Sequence, residues 1–182
     1  MRLNAPVIAL CLVAAAGAAA ASEPHYGFGR PATPAEIAPW DIDVRADGQG
    51  LPPGSGSVKQ GGEIFAAQCE ACHVAGGTKA LAPSLDVLVG GRALLDGPNP
   101  IKTIGNYWPF ATTVFDYIRR AMPFPAPQSL SADEVYALTA WLLYRNGVIA
   151  EDTVLDAATL TQIRMPNRGG FIDRDDWRTP KP

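Results

Sequence analysis

The 182-residue sequence is poor in charge: Asp, Glu, Lys and Arg together make up 18% of it, with 15 bases against 18 acids and a net charge of −3. That balance excludes a nucleic-acid binder, which needs a basic surface to displace the counterions of phosphate. Soft and imidazole ligands are scarce too, at three cysteines and two histidines. Regular structure is limited by Gly 18 and Pro 17, nearly a fifth of the chain, more than an all-helical bundle carries. Four Trp, five Tyr and six Phe within a 47% hydrophobic composition exclude a disordered tail, because such tails lack the aromatics to form a core. A compact, loop-rich domain of ordinary size is what these absences leave.

Long apolar runs are also absent, apart from the first residues. Arg2, the apolar stretch Ala5 to Ala21 and the small residues Ala19 and Ala21 before Ser22 have the pattern of a secretory signal peptide. At ~17 residues that stretch is shorter than the ~20 of a spanning helix. Leu10 before Cys11 does not fit a lipoprotein signal, so Cys11 leaves with the peptide. Cleavage removes Arg2 and no acid, leaving 14 bases against 18 acids, a charge of −4. The expectation is an exported protein, periplasmic in a Gram-negative source, with no membrane span after signal cleavage.

Residues 22–57 read as an extended arm, punctuated by Pro34, Pro39, Asp47-Gly48 and the run Leu51 to Gly56. A helix is predicted from Val58 to Cys72, capped by Ser57 with Gln60; Gly61 and Gly62 inside it mark close approach of another helix. Residues 74–111 read as loop with one short helix near Ser84 to Val89. Thr113 and Asp116 resemble a capping box opening a helix that ends at Met122, since Pro123 forbids continuation. Ser131 and Glu134 open a third helix, which Asn146-Gly147 closes. A short helix over 156–163 precedes a loop-like tail. Phe65, Tyr136 and Trp141 recur at helical spacing and are assigned to packing between helices. The domains expected are a signal peptide 1–21, an arm 22–57, a central domain 58–148 and an extension 149–182.

Cys69-Glu70-Ala71-Cys72-His73 is the one constellation that carries chemistry. C-x-x-C-H is the attachment motif of c-type haem: two thiols one helical turn apart form thioethers to the vinyl groups, and the adjoining imidazole ligates the iron. A redox C-x-x-C opens a helix after a strand, whereas this one ends a helix. A zinc site needs a second pair of soft ligands, and no other cysteine follows the signal peptide. One covalent haem c, held by Cys69, Cys72 and His73, is therefore the expected cofactor.

The second axial ligand has three candidates. Met122 ends a helix and is followed by Pro-Phe-Pro, a segment stiff enough to hold a thioether. Met165 also precedes a proline but lies in a polar tail, and His25 lies in the arm, where reaching iron costs ordering entropy. An open position is the remaining alternative. Met122 is the favoured metal ligand with His73. Around them, Pro83 offers a backbone carbonyl to the imidazole, and Arg92, Tyr107, Trp108, Arg119 and Arg120 are candidate donors at the haem edge and propionates.

With C-x-x-C-H at 69–73, Gly62 and Phe65 before it, Met122-Pro123 after a helix and an aromatic last helix, residues 58–147 resemble class I cytochrome c. The resemblance implies an all-α haem domain whose first and last helices cross, with His73 and Met122 as axial ligands. Longer strings extend the likeness to nearly all of the mature chain. Gly29-Arg30-Pro31, Trp40-Asp41-Ile42-Asp43, Gly50-Leu51-Pro52-Pro53-Gly54, Tyr107-Trp108-Pro109-Phe110, Phe115 through Pro123 and Met165-Pro166-Asn167-Arg168 resemble the cytochrome subunit of sulfite and sulfane dehydrogenases. That family implies a molybdenum-cofactor sulfite/sulfane dehydrogenase subunit as electron donor and a downstream cytochrome or oxidase as acceptor. The cytochrome itself makes and breaks no bonds. One C-x-x-C-H excludes a two-haem relay within the chain. Residues 23–57 and 163–182 are then expected to lie along the partner subunit. A freely diffusing carrier, and an enzyme or sensor with an open iron position, are the rival readings.

Overall fold

The computed structural model describes residues 28–81, 87–95 and 98–171. The signal-peptide assignment, His25 and Pro83 lie outside the described residues, as do residues 84–86 of the short helix expected near 84–89; residues 87–89 are described and are not helical. The chain divides into two units, one ending at Ile37 and one beginning at Ala38. In the first, a single turn α1 (Pro34–Ile37) is opened by Thr33, whose N–H donates to Glu36 at 2.8 Å. Arg30 grips the same carboxylate at 2.6 and 2.8 Å and, with Thr33, holds Glu36 at about 2.

The second unit is helical with one small sheet. Its order is β1 (Ser55–Ser57), α2 (Val58–Gln68), a 3-10 turn (Arg92–Leu95), α3 (Ile104–Tyr107), α4 (Ala111–Ala121), α5 (Ala132–Arg145), β2 (Val154–Asp156) and α6 (Ala157–Gln162). Three of these helices start where side-chain chemistry says they should. Ser57 and Gln60 form a reciprocal capping box on α2, Ser131 and Glu134 one on α5, and Asp156 with Thr159 one on α6. At the far end of α5, Asn146 caps and Gly147 turns at φ +69°.

The predicted ends hold less well. Helix α2 stops at Gln68 rather than Cys72, because the Phe65 carbonyl accepts from both Cys69 and Glu70 at 2.9 and 3.0 Å, which ends the regular ladder. Helix α4 begins at Ala111 with Phe110 as a cap that makes no side-chain hydrogen bond. The expected Thr113 and Asp116 box is absent: Thr113 Oγ1 donates back to the Phe110 carbonyl, and Asp116 lies in the helix interior with other partners. Helix α3, in a stretch read as loop, owes its start to a Thr103 and Asn106 capping box.

Helices α2 and α5 cross at the centre. Gly61 meets the α5 backbone, where an added Cβ would fall against the Ala137 carbonyl; at Gly62 a Cβ would come within 2.9 Å of Trp141 Nε1. This close approach stacks Phe65 on Trp141 at 4.1 Å between centroids. Phe115 of α4 packs on Tyr136 at 4.5 Å. Val114, Val135, Leu138, Leu143, Leu155 and Leu160 complete the apolar centre; each such side chain contributes about 1.5–3 kcal/mol by leaving water.

The arm and the tail join this core. Strand β1 pairs antiparallel with β2, Gly56 opposite Leu155. Val44 is 4% exposed, and the Tyr136 hydroxyl donates to the Pro52 carbonyl at 2.9 Å. Burial and then the Asp156 charge push that phenol up to about 12, so it remains a donor. Residues 42–57, expected to lie along a partner, are tied on one side to α4 and α5. Met165, expected in a polar tail, is 1% exposed and belongs to the core. The second unit begins at Ala38, and Val44 and Leu155, from outside the central helices, help to cover their apolar faces.

Candidate haem site

The C-x-x-C-H segment turns immediately after α2. Cys69 is the helix cap, and its carbonyl accepts from Cys72 at 3.1 Å and from His73 at 2.9 Å, so both thiols and the imidazole issue from one turn. Three residues in the left-handed region follow, Ala75, Gly76 and Gly77, at φ +52°, +63° and +81°. They reverse the chain, and Gly76 N–H donates to the Glu70 carboxylate at 3.2 Å. The Gly77 carbonyl then accepts from both Leu88 and Val89, and Leu81 N–H donates to Cys72. The motif is thus tied to the segments on either side of it.

Cys69 and Cys72 are both thiols, the first half-buried and the second exposed. Burial, followed by the neighbouring Cys72, pushes the Cys69 thiol up to about 11. His73 is half-buried. No group of three or more His, Cys, Asp or Glu able to hold a metal ion occurs among the described residues. Two unpaired thiols a turn apart with an adjoining imidazole fit a haem bound through thioethers and ligated on one side.

Met122 caps the C-terminal end of α4 in extended conformation, its N–H bonded to the Ile118 carbonyl at 3.0 Å and its side chain packed against the core. The Met122-Pro123 peptide bond is cis. Trp108 meets Tyr117 edge-on at 5.8 Å and is half-buried. Tyr107 packs edge-on against Phe171 at 5.1 Å, lies 4.7 Å from Lys102 Nζ, and accepts at its carbonyl from Asn167. Arg92 opens the 3-10 turn. The two other arginines expected at the propionates make bonds to the arm and within α4. Arg119 donates to the Ile42 carbonyl at 3.0 Å, and Arg120 forms a bidentate pair with Asp116. Both lie on the face of α4 that meets the arm, which is why they hold the arm and the carboxylate.

Two asparagines that the sequence reading passed over organise the loop beyond the motif. Asn146 donates to the carbonyls of Leu88 and Leu142 and accepts from Gly90 N–H. Asn106, 4% exposed, donates to the carbonyls of Gly91 and Ile101. Buried backbone groups need such partners. The signal for Asn106 was legible, as Thr103-x-x-Asn106 has the spacing of a capping box; Asn146 looked only like a helix end.

A family model described as cytochrome C oxidase, cbb3-type, subunit III, matches residues 56–142, the stretch that holds the C-x-x-C-H turn and Met122. The crystal structure of the sulfane dehydrogenase SoxCD from Paracoccus pantotrophus contains a chain 47% identical to this one, superposing with a TM-score of 0.76 over 87% of this chain and 77% of that one. The chain belongs to the c-type cytochromes of sulfur-oxidation systems. This c-type cytochrome binds haem and serves electron transfer. No curated protein sequence matches it. Among its described residues no helix is long and apolar enough to cross a membrane.

Proposed function

We propose that this cytochrome is a periplasmic, single-haem electron-transfer subunit. It accepts electrons from a molybdenum-cofactor subunit that oxidises sulfite or sulfane sulfur and passes them to a downstream cytochrome or oxidase. The observation that carries the reading is the 47% identity, sustained over 87% of the chain, to a chain of a sulfane dehydrogenase. Cys69 and Cys72 would hold the haem covalently, and His73 and Met122 would ligate its iron. The haem supplies reversible one-electron transfer.

The protein's own residues decide how well that works. His73 needs its second ring nitrogen hydrogen-bonded to keep orientation and basicity, the role assigned to the Pro83 carbonyl. The Met122 thioether favours the reduced iron relative to a second imidazole, which raises the potential. Tyr107 and Trp108, both half-buried, are the aromatic candidates for the haem edge. Signal cleavage after Ala21 places the protein where the haem is attached.

The test is purification of the full-length protein from its native host under gentle conditions, with molybdenum analysis and haem absorbance on addition of sulfite. Co-purifying molybdenum with haem reduction by sulfite is the expected result for a sulfite-oxidising partner. Molybdenum without that reduction assigns the partner to sulfane sulfur. A haem protein free of molybdenum and unresponsive to sulfite overturns the reading in favour of a diffusing carrier.

A further inference from the structure

One face of α4 reads the backbone of the arm at alternate residues. Thr112 Oγ1 donates to the Ala46 carbonyl at 3.0 Å, Asp116 Oδ1 accepts from Val44 N–H at 2.8 Å, and Arg119 donates to the Ile42 carbonyl at 3.0 Å. The arm runs antiparallel to the helix, and the two repeats match: seven helical residues span ~10.5 Å and four extended ones ~13 Å. Thr112 and Asp116 are 2% and 7% exposed, so these are enclosed contacts. Asp116 is also paired with Arg120, which leaves the carboxylate fully engaged. On the other side α4 presents Val114, Phe115 and Ile118 to the core, and the residue that follows it is Met122.

We propose that the arm segment 42–46 is a strap that sets the axial position of α4 and thereby holds the Met122 thioether in place, with Asp116 as its central positioning residue. The inference rests on the assignment of Met122 as an axial ligand. A helix held on one face by packing alone slides at little cost along its own axis. Three directional hydrogen bonds to a second backbone remove that freedom. Loss of the strap contacts lets the C-terminal end of α4 shift, and an external ligand then competes more successfully with the thioether. Nothing in this role requires Asp116 to touch the haem.

The experiment uses the full-length holoprotein in its oxidised form. Imidazole is titrated in, and displacement of the thioether is followed by loss of the weak long-wavelength charge-transfer band that sulfur ligation gives ferric haem. Asp116→Ala is expected to raise the apparent affinity for imidazole roughly five- to tenfold, the lower end of typical coupling between sites. Asp116→Asn, whose amide oxygen still accepts the Val44 N–H, restores part of the wild-type resistance. Thr112→Val, which removes one hydroxyl and keeps the shape, shifts the affinity in the same direction by a smaller factor, and serves if Asp116→Ala does not fold. Thr139→Val removes an equally buried hydroxyl, bonded within α5 to the Val135 carbonyl, and leaves the imidazole affinity unchanged. If the wild-type protein lacks the sulfur band, the Met122 assignment fails and the proposal with it. If the band is present but Asp116→Ala, or Thr112→Val where Asp116→Ala does not fold, titrates like wild type, or Thr139→Val shifts as far as they do, the strap has no such role.

Discussion

Gly61 is where the two central helices come closest, and a single methyl group there decides whether they can. An added Cβ would collide with the backbone of Ala137 and lie 2.7 Å from Trp141 Cβ, with no flexible side-chain end to give way. Gly61→Ala gains about 0.8–1 kcal/mol of helix propensity and still lowers stability by about 1–3 kcal/mol of overpacking strain net of that gain, read as a fall in the thermal midpoint of the holoprotein. Gly91→Ala is the matched comparison, since a Cβ at Gly91 meets nothing within 4 Å. Its midpoint is expected to stay within a degree or two of wild type. The functional residues were legible at this scale because covalent chemistry demands a fixed local spacing, so that Cys69, Cys72 and His73 announce themselves. Asp116 was misread, because three residues after Thr113 it has the spacing of a capping box, and only the arm laid over it supplies its partner Val44.

The helices depend on their caps. In α5 the Ser131 hydroxyl accepts from Glu134 N–H while Glu134 accepts from Ser131 N–H at 2.8 Å, and this helix carries Tyr136, Trp141 and Asn146 to their places. Ser131→Ala is expected to cost about 1 kcal/mol, measured by denaturant unfolding of the holoprotein. The α6 cap brings a pH dependence. Hydrogen bonds from the Thr159 backbone and hydroxyl lower the Asp156 carboxyl below its ordinary value. A group depressed in the folded state stabilises above its unfolded pKa and loses that stabilisation as pH falls through the folded one. The Thr159 amide proton resonance is therefore expected to move, and α6 to fray, only on the acid side of the usual carboxylate range; a midpoint at or above that range would contradict the cap. Capping boxes were readable from sequence because they close within four residues. The start of α4 was not, because Phe110 caps it without a side-chain bond and the Thr113 and Asp116 pattern proved fortuitous.

At the scale of the whole molecule, the two ends of the chain finish a core that the central helices leave open. Leu155, Leu160 and Met165 are each at most 1% exposed, and together they contribute on the order of 5–9 kcal/mol by burial, comparable with the whole net stability of about 5–15 kcal/mol. Truncation after Ala150 is expected to prevent stable folding, assayed by recovery of haem-loaded protein and by circular dichroism. Removal of residues 22–37, of which the described residues 28–37 contribute no member of the core cluster, is expected to leave the melting midpoint unchanged. A chain truncated after Ala150 that melts like the full one would refute the single-unit reading. The sequence by itself determined the cofactor motif, the caps of α2 and α5, the close glycines and the family likeness, since each depends on residues near one another in the chain or on long exact strings. Only the tertiary structure decided that the arm lies along α4, that Met165 is buried among the core residues, and that Arg119 and Arg120 bond to the arm and to Asp116. Those pairings join residues more than forty positions apart or choose among several equally suitable partners, and only folding brings the chosen ones within hydrogen-bond reach.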